Sequence, residues 1–218
     1  MPDSGDPVQG MERYMTMMNK RIRSAWTMTI MLLCAVVMPC LQGTAASEDN
    51  RKMAIVAGVE FDDVIELGPE RLVIEGAGLH RYMIVLKGYA AALYLGQGHS
   101  SDELFDDIPK CLQIVYFHPI PAQGFVRATQ HGFEANLAPE DLEELKDQIG
   151  RLYECYQDVK KQDRYSFIYH PSTGPELQLN GEILCRFDSL QFANAVLSIW
   201  LGENPLDKRL KEDLLGRK

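Results

Sequence analysis

The sequence has no Cys-x-x-Cys pair, and its five histidines (80, 99, 118, 131 and 170) include no two at the spacing that puts metal ligands on one helix face, so a structural or catalytic metal is not expected. It lacks the Gly-x-Ser-x-Gly turn of a serine hydrolase. Its one glycine-rich stretch, Gly76-Ala77-Gly78, runs into further β-type sequence, so no helix N-terminus waits there for a phosphate, and no nucleotide cofactor is expected. A basic excess is also missing: 22 Lys+Arg stand against 31 Asp+Glu, which excludes a phosphate backbone as partner. Present instead are 46% hydrophobic and 24% charged residues over 218 positions, the balance of a folded globular protein rather than a disordered or multi-span membrane chain.

The first 46 residues differ from the rest. Lys20, Arg21 and Arg23 precede an apolar run from Ala25 to Leu41, and small residues end the stretch at Gly43-Thr44-Ala45-Ala46. Positive, apolar and small-residue regions in that order are the pattern of a secretory signal peptide, which places the mature protein in the periplasm or outside the cell. Met15, Met17 and Met18 lie just upstream and are alternative starts, with the preceding residues an extension. The competing reading is an uncleaved anchor over 25–41, at the short limit for a span. Neither Cys34 nor Cys40 follows the small residues that lipoprotein processing needs. One domain, 47–218, then remains, with no repeat or low-complexity break. Its cysteines, Cys111, Cys155 and Cys185, are too few and too far apart for a disulfide framework. They read either as small buried hydrophobes or as one pair closed in an oxidising compartment.

Periodicity divides that domain into strands and helices. Strand-like runs cover 54–61, 71–75, 81–87, 89–95, 111–117 and 165–169, with Gly88 marking a bulge or a close backbone approach. Ser100 or Ser101 caps a short helix over Asp102–Asp107. Helices are expected over 123–136 and over 139–156, where Pro139 opens the helix and Leu142, Leu145, Ile149, Leu152 and Tyr156 form one apolar stripe. Asn180-Gly181 joins 176–179 to 182–187 as a hairpin, and helices over 192–200 and 207–215 close the chain. Hairpin-linked strands with helices in blocks predict an α+β fold with a largely antiparallel sheet.

One set of ordered marks carries more. Gly58-Val59-Glu60-Phe61, Gly76-Ala77-Gly78-Leu79-His80-Arg81, Tyr89 to Leu95, Asn180-Gly181, Phe192 to Gly202, Pro205 and Leu214-Leu215-Gly216 together resemble the chalcone isomerase-like family, in the family's order. The resemblance implies an open-faced, largely antiparallel β-sandwich packed against helices, with a ligand cleft between them. It also implies two functions: cyclisation of chalcones, or binding of fatty acids. For catalysis the family's arginine after the glycines is matched by Arg81, with His80 as an extra residue before it. Tyr89 falls where a threonine stands, Phe125 near a tyrosine, Gly132 near an asparagine and Ala193 near a Ser/Thr. With those polar groups gone, each unmade hydrogen bond costs ~1–3 kcal/mol, and chalcone isomerase activity is expected to be absent or trivial.

The expectation is therefore a non-catalytic, exported binder of a fatty acid or similar apolar carboxylate. Arg81 and Tyr94 grip the head group, Tyr89 supports them, and apolar walls take the chain. The alternative is an isomerase acting on a small apolar substrate with Arg81 as its catalytic group. Trp200 reads as core.

Overall fold

The computed structural model describes residues 53–217 apart from 83–85. The signal-like segment 1–46 lies outside the described residues. Among those described, no helix is long and apolar enough to cross a membrane.

The chain opens as a two-stranded hairpin, β1 (Met53–Val56) and β2 (Val59–Asp62), rather than the single strand expected over 54–61. Ala57 and Gly58 have φ of 54° and 90°, and these two left-handed residues reverse the chain within the apolar run. A seven-stranded sheet follows: β3 (Val64–Leu67), β4 (Glu70–Tyr82), β5 (Leu86–Gly96), β6 (Lys110–Tyr116), β7 (Arg164–His170), β8 (Gly174–Leu179) and β9 (Glu182–Arg186). Every strand pairs antiparallel with its neighbour in sequence, so the sheet is a simple meander. The β8–β9 turn is the expected one, with φ of 52° at Asn180 and 86° at Gly181.

Helices α1 (Ala122–Asn136), α2 (Pro139–Glu144) and α3 (Lys146–Cys155) lie between β6 and β7, and α4 (Leu190–Leu201) and α5 (Lys208–Leu214) follow β9. The single helix expected over 139–156 is two, because Leu145 leaves helical geometry (φ −91°, ψ 2°) while its side chain goes into the core. Asp102–Asp107 forms only a 3-10 turn at Ser101–Glu103, with Glu103 accepting the Ser100 backbone N–H. Ser189 caps α4 by accepting the Phe192 N–H, and Asp207 caps α5 by accepting those of Arg209 and Leu210.

The strand expected over 71–75 does not end before Gly76-Ala77-Gly78; β4 runs straight through the glycines. The reason is α5. A Cβ on Gly76 would stand 2.2 Å from the Asp213 carbonyl oxygen, and one on Gly78 2.7 Å from the Asp213 Cβ. Glycine lets the C-terminal helix lie directly on the strand backbone.

The two sheet faces have separate cores. The helix face collects Leu93, Leu112, Phe167, Leu177, Phe133, Leu152, Phe192 and Leu197; the other face collects Ala90, Ala92, Tyr94, Cys111 and Val115 under Val59 and Phe61 of the hairpin. A disulfide joins Cys155 at the end of α3 to Cys185 on β9, with Cα atoms 6.2 Å apart, which selects the paired reading of those cysteines. Cys111 stays free and buried. Lys110, only 1% exposed, donates to the carbonyls of Leu104 and Asp106 at 2.6 Å each and fixes the loop before β6. Burial pulls its pKa down to about 8 against the opposing pull of Asp107 and Asp106.

Candidate functional site

Between the sheet and the helices lies a small cavity of about 60 Å³. Its floor is Leu112, Ile114 and Tyr116 of β6, Tyr165 and Phe167 of β7 and Leu177 of β8. Its roof is Phe125 and Thr129 of α1, Leu152 of α3, Tyr156, and Val196, Ile199 and Trp200 of α4. Rings dominate one end: Tyr116, Phe125, Tyr156 and Tyr165 meet edge-on or tilted, with centroids 5.2–6.1 Å apart. Their hydroxyls are largely used internally. Tyr156 and Thr129 share a 2.7 Å hydrogen bond, while Tyr165 accepts from the Gln157 N–H and donates to its carbonyl. Burial pushes the Tyr116 hydroxyl well above the ordinary phenol range. What the cavity presents is hydrocarbon and ring surface, suited to an apolar group.

Strand geometry decides where the expected head-group residues go. Side chains alternate across a sheet, and the register pairs Gly78 with Ala91 and His80 with Tyr89. Counting by twos from Gly76 and Gly78 therefore brings His80, not Arg81, to the helix face. A register shift follows at once, between His80 and Arg81, and Arg81 is exposed. Tyr94 is fully buried on the opposite face, in the hairpin-side core, where its hydroxyl has no hydrogen-bond partner. Tyr89 belongs to the helix-side core. The expected group of Arg81, Tyr94 and Tyr89 is therefore corrected: Tyr89 and Tyr94 are on different faces of β5, and Arg81 joins neither in the described contacts. A guanidinium in that strand avoids the cost of burial by staying in water.

Tyr89 has other company. The His80 ring stacks on it, with centroids 4.7 Å apart and planes 25° from parallel. His80 Nδ1 lies 2.9 Å from Asp207 Oδ2, and Trp200 Nε1 donates to Tyr89 Oη at 3.0 Å. Tyr89 also meets the edge of Tyr116, and Trp200 lines the cavity, so this polar group borders the apolar one. Burial drives the Tyr89 pKa far above the usual phenol value; the Trp200 hydrogen bond pulls it down and Asp207 pushes it up. The group stays a neutral O–H. Burial also pushes the Asp207 carboxyl up, but hydrogen bonds from the Leu210 N–H, His80 and the Arg209 N–H outweigh it and hold its pKa below the usual carboxylate value.

His80, Asp207 and Trp200 were not singled out as functional from the sequence. The signal for His80 was present in its even spacing from Gly76 and Gly78. Asp207 reads as an ordinary helix cap, and nothing local says that the cap faces a strand 127 positions away. Trp200 is half-buried at the cavity rim rather than enclosed in the core. Of the positions where the resemblance places lost polar groups, Phe125 lines the cavity and Ala193 is fully buried. Gly132 allows close helix contact instead, since a Cβ there would meet Ile199 Cγ2 at 2.7 Å.

A family model described as chalcone isomerase-like matches residues 53–216. The fold is similar to the crystal structure of an Arabidopsis thaliana fatty-acid binding protein, with a TM-score of 0.59 at 14% identity, over 76% of this chain and 96% of that one. No curated protein matches the sequence.

Proposed function

The chain belongs to the chalcone isomerase-like family, and on that premise we propose that it binds an apolar ligand, a fatty acid or similar carboxylate, between its sheet and its helices. The observation carrying this is the apolar, ring-walled cavity with the polar His80–Tyr89 group at its edge. A fold shared with a fatty-acid binding protein supports it. The cavity of about 60 Å³ is far below the ~300–1,000 Å³ of ligand sites and holds about two waters' worth of space. An acyl chain therefore enters only if the helical roof yields. Thr129 and Tyr156, bonded across from α1 to the end of α3, form the seam that parts first.

The head group sits at His80 and Tyr89, which takes over the support role expected of Tyr89 and moves the Arg81 and Tyr94 roles to His80. The protein acts after export, its 1–46 segment serving as a signal peptide. The Cys155–Cys185 disulfide supports an oxidising compartment.

Ligand extraction from the purified protein followed by mass spectrometry tests the reading: an apolar carboxylate in near-stoichiometric amount is expected. Val196→Phe, which fills the cavity from α4, should abolish it. An empty wild-type protein that also fails to bind added octanoate would end the proposal.

A further inference from the structure

We infer that His80 and Asp207 form a general-base dyad that removes a proton from carbon in an apolar substrate held beside them, with the Tyr89 hydroxyl donating to the substrate oxygen that gains the negative charge. Asp207 is an acceptor-only carboxylate, fixed by two backbone N–H groups of α5, so the 2.9 Å contact requires the proton on His80 Nδ1. The lone pair is then on Nε2, which has no hydrogen-bond partner among the described residues. The ring stacks on Tyr89 and lies close to Gly88, where an added Cβ would touch His80 Cδ2 at 3.0 Å. A carboxylate that orients an imidazole and steadies its charged form is what a histidine base requires.

The second half of the site is the Trp200–Tyr89 pair. Trp200 Nε1 donates to Tyr89 Oη, which frees the phenol proton for donation elsewhere and polarises it for that task. A base and a neutral donor on adjacent strands, at the edge of an apolar cavity, suit a carbonyl compound with an acidic neighbouring C–H. Nε2 takes that proton, the C–H electron pair moves into a carbon–carbon double bond, and the carbonyl electrons go to oxygen, which accepts from Tyr89. Where the substrate also carries a β,γ carbon–carbon double bond, return of the proton from the imidazolium to the γ carbon shifts that double bond into conjugation and restores the carbonyl, giving an isomer with no other reactant consumed.

The inference rests on the cavity accepting an apolar molecule, so binding and reaction are read separately. The probe is 5-nitrobenzisoxazole. Loss of its C3 proton to Nε2 breaks the N–O bond, forms a nitrile and releases a coloured phenolate. Binding is followed through the fluorescence of Trp200, the one tryptophan of residues 47–218. The expected result is saturable turnover whose rate rises with pH to a plateau as one group, His80, loses its proton; the ionisable groups facing it are Asp207 and Tyr89. His80→Gln should lower the rate ~100-fold with binding kept. Asp207→Asn, which still caps α5, should shift the midpoint of the pH profile downward, because the imidazolium loses its anionic partner; a purely helix-docking role would leave it unmoved. Should His80→Gln fail to fold, acylation of the wild type by diethyl pyrocarbonate decides: His80 is expected to react faster than His118 and His131, and slower reaction overturns the inference. Probe that binds without reacting, or reacts equally with His80→Gln, removes the dyad and leaves the binding proposal standing. Probe that does not bind removes both.

Discussion

Strand β5 shows how differently the two faces of one sheet are used. Residues 89, 91, 93 and 95 face the helices, where rings and aliphatic chains meet at long range and leave a cavity. Residues 90, 92 and 94 face the β1–β2 hairpin, where Ala90, Ala92 and Tyr94 are wholly buried under Val59 and Phe61. Small alanines admit the hairpin close to the sheet, and the single large side chain fills what remains. One face is packed for stability. The other keeps space and puts paired polar groups at its margin.

Substitutions that exchange the character of the two faces test that contrast. The largest effect is expected from Phe61→Ala, which uncovers the hairpin-side core at a fully buried site and should cost about 3–5 kcal/mol in chemical denaturation. Next is the tie on the helix side: Cys155→Ser with Cys185→Ser opens a link between residues 30 apart and should cost ~3 kcal/mol. If that double variant loses nothing, α3 is held by packing alone.

The third effect depends on pH. Lys110 has a folded pKa of about 8 against 10.5 for the free side chain, so above pH 8 the unfolded chain holds the extra proton and stability rises with pH. Below pH 8 the full cost of the buried charge is present. Cys111 opposes this above pH 9, because burial lifts its thiol from 9.0 to about 12 and the unfolded chain ionises first. The rise is thus confined to pH 8–9, at about 1 kcal/mol, and Lys110→Met should abolish it. Denaturant melts at both pH values measure it.

The remaining pair differs in direction. Tyr165→Phe, on the helix face, strips a hydroxyl bonded to both backbone groups of Gln157 and should cost about 1–2 kcal/mol. Tyr94→Phe, on the hairpin face, removes a buried hydroxyl that has no partner and should be neutral or stabilise by ~1 kcal/mol. Equal losses in the two variants would erase the distinction between the faces.

How far the sequence alone revealed this architecture depends on the range of the interaction concerned. The Asn180-Gly181 hairpin, the Pro139 helix start and the antiparallel class follow from local chemistry, and all three are present. The break at Leu145 and the reversal at Ala57-Gly58 were missed because apolar residues continue through both. Gly76 and Gly78 looked like a strand terminator, since their purpose is set by α5, more than 130 residues later. The site was lost at the same point. Arg81 drew attention as the charged group in an apolar run, whereas period-two counting would have turned His80 inward and left Arg81 outside. Asp207 carries no such mark, because only the docking of α5 on β4 brings it to His80.

That docking also sets an order of assembly. The meander pairs neighbour with neighbour and can form while the chain is still emerging, yet β4 keeps a bare glycine backbone and His80 lacks its carboxylate until Asp207 and α5 are made. A chain cut before Asp207 would keep every strand and lose both the carboxylate that meets His80 and the helix that lies on Gly76 and Gly78.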